Sequence, residues 1–380
     1  MNNMSENWFD MFMKKYNEEV ESMSTANIMI IGKTGVGKST LINNVFREKL
    51  VETGIGKPVT QHISKITKKG VPLTIYDTKG LELDSEVQEE IKKEIVGQID
   101  QTLLSQNEKD YIHVAWYCVN SSSNRIEDFE VDWINEFSKK LPVIIVMTQC
   151  MGLQYKAFES YIRNLNLPVI NVVPTLAEEI VISEDIIIPP FGLTQLVDVT
   201  YNCLDEAAKK AFINAQKVNL EKKVVAARLA VLPYVSTNFV TGFTPIPFAD
   251  ATILVPSQIA MIAHLTVIFG INVEKTLITS IITAIGGVGG ATALGRTIVA
   301  NVVKFIPGVG TAVGGVISGT TAAILTAALG YAYIEVMNKI AVRLYEGKKI
   351  DNNEIITMMK KAYEDQLKKG KNIITGTKSE

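Results

Sequence analysis

A chain of 380 residues is long enough for two domains that each bury a core, so neither half need be a tail. With 38 basic against 40 acidic residues the formal net charge is −2 and no block of like charge stands out, which argues against nucleic acid as a partner. The three cysteines, Cys118, Cys150 and Cys203, are odd in number, far apart and without metal-ligand spacing, which points to free thiols in a reducing compartment and away from a structural zinc.

Residues 1–26 are expected to hold an N-terminal helix, because Trp8, Phe12, Tyr16 and Val20 recur at i+4 and share one face. That face is expected to pack on the body of the protein, the other use of such a face being a membrane-surface helix. The first residues lack the basic-then-apolar order of a secretory signal. A cytoplasmic location is therefore expected, with the cytoplasmic face of the membrane as the place of any further association.

From residue 27 onward short apolar runs alternate with amphipathic stretches, the pattern of an α/β domain. Six strands are expected, centred on 28–31, 63–67, 73–76, 112–119, 143–147 and 169–173, in a mainly parallel six-stranded sheet. This domain is assigned to residues 27–200. After Pro189-Pro190 the chain reads as helical throughout. Residues 201–345 are expected to form an all-α domain with a Gly-rich apolar hairpin, and 346–380 a C-terminal helix around 355–367 followed by a tail.

Directly after the first strand stands Gly32-Lys33-Thr34-Gly35-Val36-Gly37-Lys38-Ser39-Thr40, which fits the Walker A pattern residue for residue. Gly35 and Gly37 let backbone N–H groups turn inward around phosphates, Lys38 reaches the outer phosphates, and the Ser39 hydroxyl serves a magnesium ion. The next helix points its positive N-terminal end at the same phosphates. Further on, the third strand delivers Asp77-Thr78-Lys79-Gly80: the aspartate can hold Mg2+ through water, and the glycine offers its N–H to a γ-phosphate. Between them lies the polar loop Gly56-Lys57-Pro58-Val59-Thr60, where Thr60 can complete the magnesium shell when triphosphate is present. Ser39, Thr60 and Asp77 are thus the expected metal ligands, and Lys38, Thr60, Gly80 and Gln61 the expected catalytic set.

These residues, in this order, resemble the Ras-like P-loop GTPases over residues 27–200, and the loop GKTGVGKST is especially similar to the immunity-related and septin-like branches. The resemblance implies GTP as substrate and GDP as product. It also implies a switch in which the loops around Thr60 and 77–83 order on GTP and relax after hydrolysis. The family reads guanine with Asn/Thr-Lys-x-Asp after the fifth strand. Here the segment is Thr148-Gln149-Cys150-Met151, and Met151 cannot accept the guanine hydrogen bonds. The family's Ala-containing loop corresponds to Thr175-Leu176-Ala177, with Glu178 or Glu179 as candidates for the missing acid. Ras-like enzymes carry a water-orienting glutamine after the glycine at position 80, where this chain has Leu81, so slow intrinsic hydrolysis is expected. Gln61 and His62 are candidates to substitute. Arg125 is a candidate to neutralise charge in a facing subunit, and because Leu81 leaves catalysis incomplete within one chain a nucleotide-dependent homodimer is the expected assembly.

In the helical half, Thr244-Pro245-Ile246-Pro247-Phe248-Ala249-Asp250 reads as a rigid turn ending in an N-cap. With 258–262, 269–270 and 305–310 it resembles the uncharacterised bacterial helical domain found behind Ras-like GTPases, some relatives of which associate with the inner membrane. Residues 276–295 and 305–334 are free of charge, and twenty helical residues at about 1.5 Å each would cross a hydrocarbon core. Their Gly, Ser, Thr and Ala content and Pro307 favour a buried hairpin over a membrane-embedded one, and the pairs Gly286/Gly290, Gly310/Gly314 and Gly315/Gly319 allow close helix approach in either setting. The functional expectation is a slow GTP-hydrolysing switch controlling this domain, through which a membrane or another effector would be met. The alternatives are a GTP-timed membrane-inserting or membrane-remodelling protein and a non-catalytic nucleotide-bound scaffold.

Overall fold

The computed structural model describes residues 2–53, 55–58, 60–78, 81, 85–105, 107–241, 249–271, 274–286, 319–348 and 350–375. Its strands are β1 (Ala26–Ile31), β2 (Ile55–Pro58), β3 (Ile63–Lys68), β4 (Val71–Thr78), β5 (Val114–Asn120), β6 (Val143–Thr148), β7 (Asn171–Pro174), β8 (Ile180–Ser183) and β9 (Ile186–Ile188). The helices of the first half are α1 (Asn2–Ser22), α2 (Lys38–Val45), α3 (Leu50–Thr53), α4 (Ser85–Leu103), α5 (Asp128–Phe137), α6 (Tyr155–Asn164), α7 (Leu193–Asn202) and α8 (Glu206–Ala215). Then come α9 (Leu220–Thr241), α10 (Ala249–Phe269), α11 (Lys275–Gly286), α12 (Gly319–Tyr345) and α13 (Asn352–Thr375). The chain divides into two units, Met23–Asn219 and Met1–Ser22 with Leu220–Glu380.

In the first unit the sheet order is β2-β3-β4-β1-β5-β6-β7. Strand β1 pairs in parallel with β4 and β5, and β5, β6 and β7 continue in parallel, whereas β3 and β2 run antiparallel at the far edge. The six expected strands are all present. The structure adds β2 in part of the stretch expected as a polar loop, with Pro58 on an edge strand where its missing N–H does least harm. Every residue of β1 and β6 is buried, as befits parallel strands covered on both faces. Alternation along β1 sorts the core: Ile28 and Ile30 join Leu41, Ile42, Trp116, Leu196 and Phe212 on one face, while Met29 and Ile31 join Ile91, Ile95, Trp133 and Phe137 on the other.

This unit ends at Asn219, not near residue 200. The reason lies in α8: Ala208, Ala211, Phe212 and Ala215 stand at i, i+3, i+4 and i+7 and are all buried on the sheet, where the Phe212 ring meets Phe46 edge-on at 6.1 Å.

The second unit is helical and includes α1, so the N-terminal helix is not an element apart. Phe12 is fully buried in its core, with Phe9 and Tyr16 half-buried beside it and both rings stacked on Phe12 at 6.3 and 6.1 Å. Phe12 and Tyr16 of the expected face are thus spent on packing, whereas the Trp8 side chain lies outside the described residues. Helix α13 is likewise part of this core through Ile355, Met359, Ala362 and Tyr363, rather than a separate C-terminal piece. Helices α9 and α12 cross closely at Gly330, where a Cβ would stand 2.7 Å from Val231 Cγ2. Ile278 and Ile281 of α11 and Leu325, Ala328 and Leu329 of α12 pack in the same cluster. The rest of the expected apolar hairpin, residues 287–318, and the proline turn at 244–248 lie outside the described residues, and α10 begins at Ala249. Among the described residues no helix is long and apolar enough to cross a membrane.

Candidate functional site

The glycine-rich segment runs from the C-terminal end of β1 into α2. Gly32 presses against β5, where a Cβ would meet the Cys118 carbonyl oxygen at 2.6 Å. Gly37 caps α2 with φ +96°, a left-handed conformation that favours glycine. The Lys38 ammonium donates to the carbonyls of Gly32 at 2.5 Å and Lys33 at 3.0 Å, so it lies across the loop it belongs to. From the end of β6, the buried Thr148 hydroxyl donates to Val36 O at 2.5 Å and the Gln149 amide to Gly35 O at 3.1 Å. Four carbonyl oxygens of the loop are therefore engaged by donors, which leaves an anion in the loop with less negative charge to face. Ser39 and Thr34 are exposed and Thr40 half-buried at the start of α2.

Asp77 belongs to β4, in register with Ile30 of β1. Since the loop leaves β1 directly after Ile31, Asp77 and Lys38 rise from neighbouring strand ends, and Asp77 Oδ1 is buried there. Cys118 senses both: burial pushes its thiol up to about 12, with the Lys38 charge opposing and the Asp77 charge adding. Gly80 lies outside the described residues. Leu81 is completely buried, in the core cluster that also holds Ile91 and Ile95 of α4. Its apolar side chain is spent on packing and orients nothing.

Thr60 and His62 are drawn toward α4. The Thr60 hydroxyl donates to Glu94 Oε2 at 2.5 Å, and His62 is buried with Nδ1 3.3 Å from Glu94 Oε1. Burial pushes the Glu94 carboxyl up, but the hydrogen bonds from Thr60 and His62 together outweigh it and bring it below its ordinary range. Gln61 is exposed.

The β6 and β7 ends form the remaining flank. Gln149 has φ +53°, its carbonyl accepts from the Ser121 hydroxyl at 2.9 Å, and Met151 beyond it is 42 % exposed. Thr175 is fully buried with its hydroxyl on Met147 O, and Leu176 is buried and bridged to Phe191, so both side chains turn into the core and only Ala177 stays half-open. Glu178 and Glu179 are exposed at the foot of the β8–β9 hairpin.

A cleft of about 270 Å³ runs along the loop on its β5 side, lined by Lys33–Val36, Asn120, Arg125 and Glu130 among others. Lys33 is pinned there: its ammonium pairs with Glu127 at 2.9 Å and Glu130 at 3.2 Å and lies 5.2 Å over the Phe129 ring. This partner holds the Glu127 carboxyl below its ordinary range. Arg125 is exposed, 3.4 Å from Glu127. Sequence reasoning passed over Glu94, Asn120, Glu127, Glu130 and the hairpin. Two of these had a signal: Glu-x-x-Glu at a helix start is a variant capping box, and two β-branched runs around Glu184-Asp185 mark a hairpin.

Residues 27–149 match the family model described as a 50S ribosome-binding GTPase, and residues 214–364 match that of a domain of unknown function, DUF697. The chain is similar to translocase of chloroplast 108 of Physcomitrium patens, at 36 % identity over 85 residues, 22 % of this chain and 8 % of that protein. It is similar to septin-12 of Homo sapiens at 23 % identity over 176 residues, 40 % of this chain and 49 % of the septin. A solved structure of a probable GTP-binding protein engB aligns with a TM-score of 0.30 and 19 % identity, over 47 % of this chain and 98 % of that one. The chain thus spans less than a tenth of the translocase and about half of the septin. Within the α/β unit, residues 27–149 are thus similar to a P-loop GTPase domain, and residues 214–364, mostly within the helical unit, are similar to a domain of unknown function.

Proposed function

We propose that the protein hydrolyses GTP to GDP and phosphate with Mg2+, slowly, as a switch whose state is passed through the Asn219–Leu220 link to the helical unit. The observation that carries this reading is the rise of Lys38 and Asp77 from the neighbouring ends of β1 and β4 beside a braced glycine loop. The donor set fits magnesium: Ser39 and Thr60 hydroxyls and the Asp77 carboxylate are hard oxygens, with no soft ligand among them. When bound, Mg2+ neutralises charge on the β- and γ-phosphates. Lys38 leaves its carbonyl partners for the outer phosphates, the backbone of 33–37 wraps them, and Gly80 offers an N–H to the γ-phosphate.

Slowness follows from Leu81, which is buried, and from the exposure of Gln61, which leaves that side chain free to reach a water but holds it in no fixed place. Thr148 and Gln149 act by bracing the loop, and Ala177 with the neighbouring backbone borders the base. The buried free thiols Cys118 and Cys150 suit a reducing cytoplasm.

Phosphate release from GTP and from ATP, with magnesium, tests the reading on the wild type and Lys38→Ala. GTP turnover that exceeds ATP turnover and disappears in the variant is expected, a loss of at least about a hundredfold for a group aimed at transition-state charge. Turnover of neither nucleotide, or turnover indifferent to Lys38, would remove the hydrolase.

A further inference from the structure

The stoichiometry of one hydroxyl carries a further step, which rests on Thr60 being a metal ligand as proposed above. A threonine hydroxyl has one proton and two lone pairs. Here the proton goes to Glu94 Oε2, while the N–H groups of His62 at 3.3 Å and Ile63 at 3.1 Å point at the oxygen. Both lone pairs therefore face N–H groups, the His62 N–H being shared with Glu94 Oε2, and neither is open to a metal ion in this arrangement. The hold is multiple, because Glu94 also accepts from His62 N at 3.2 Å and faces His62 Nδ1, and Thr60 N donates back to Ile63 O at 3.3 Å. Glu94 sits mid-helix in α4, 34 residues along the chain, so the contact ties the loop before β3 to the helix that comes after Asp77-Gly80.

We propose that Glu94 is a positioning residue that keeps Thr60 off the metal and thereby sets the site's discrimination between guanosine di- and triphosphate. Diphosphate binding asks nothing of Thr60. Triphosphate binding with Mg2+ must break the Glu94 contacts, so its apparent affinity is reduced by the small fraction of molecules in which Thr60 is released. A carboxylate is suited to this hold, since a charge-assisted hydrogen bond is roughly twice as strong as a neutral one.

The test uses the full chain and measures dissociation constants for GDP and for a non-hydrolysable GTP analogue, each with Mg2+. The variants are Glu94→Ala, Glu94→Gln, Thr60→Ala and the double variant Thr60→Ala/Glu94→Ala. Glu94→Ala should tighten the analogue relative to GDP by about tenfold, the scale set by losing a charged hydrogen bond. Glu94→Gln, close to isosteric and still an acceptor, should shift the ratio in the same direction by less. In the Thr60→Ala background the Glu94 effect should vanish. An unchanged ratio in both Glu94 variants, or a Glu94 effect that survives loss of Thr60, overturns the proposal. Should Thr60→Ala alone leave magnesium-dependent analogue binding intact, the reading of Thr60 as a ligand falls instead, and the proposal falls with it.

Discussion

His113 shows how one side chain ties stability to pH. Its Nδ1 accepts the Asn27 N–H at 3.0 Å, while Nε2 faces Asp205 at 3.4 Å. Burial, the largest influence, lowers its pKa, although Asp205 pulls the other way. The folded state therefore prefers the neutral ring. A depressed histidine contributes stability that is present above its unfolded value of about 6.5 and is lost as pH falls through the lower folded value. The urea midpoint of the α/β unit, followed by the fluorescence of the buried Trp116 and Trp133, should accordingly drop between pH 7.5 and 5. In His113→Gln the drop should be shallower, by up to about 1.4 kcal/mol per pH unit for one proton. Equal acid sensitivity in the two proteins would remove His113 from the linkage. None of this was legible in the sequence, because Asn27 of β1, His113 just before β5 and Asp205 just before α8 lie far apart along the chain. The P-loop was legible for the opposite reason. Its chemistry is local, nine consecutive residues after a strand, whereas Glu94 meets Thr60, and Glu127 and Glu130 meet Lys33, only once the chain has folded.

At the scale of elements, periodicity reported which face of a segment is apolar but not what covers it. The six strands could be read from short apolar runs, whereas α8 was not singled out, although its apolar residues recur at i, i+3, i+4 and i+7. Its assignment to the sheet was not legible, nor was the docking of α1 in the helical unit. Gly330 makes a related point, since in mid-helix it costs about 1 kcal/mol against alanine and no sequence rule calls for it. The structure supplies the reason: a Cβ would stand 2.7 and 3.0 Å from the two methyls of the buried Val231 and 3.1 Å from the Met261 sulfur. Propensity thus favours replacement and packing opposes it. Overpacking of a closed core costs about 1 to 3 kcal/mol, so packing should win for a branched side chain. Gly330→Val is expected to lower the thermal midpoint of the helical unit, and Val231→Ala, harmful alone, should restore part of the loss in combination. A Gly330→Val protein more stable than wild type would show that α9 and α12 are not held this closely.

For the whole molecule, the shift from an alternating pattern to a helical one revealed two units and misplaced their border by about one helix, since α8 is itself helical and no pattern in the sequence separates it from the helices after it. On the proposed reading the α/β unit would lack a complete catalytic set of its own: Leu81 is buried, Gln61 is exposed, and Arg125 stands with its side chain 74 % exposed beside the cleft along the P-loop. Within one chain the Arg125 guanidinium stands 3.4 Å from Glu127. Presented to the loop of a second copy, its guanidinium would add positive charge where the transition state gathers negative charge, an effect worth several orders of magnitude where an arginine is supplied in trans. Such catalysis depends on encounter between chains. Turnover per chain should therefore rise with protein concentration and level off once pairing is complete. Arg125→Ala should keep the low-concentration rate and its affinity for GTP, and lose the rise. A wild-type rate per chain that stays flat across the range would mean that each molecule works alone and that Arg125 takes no part in turnover.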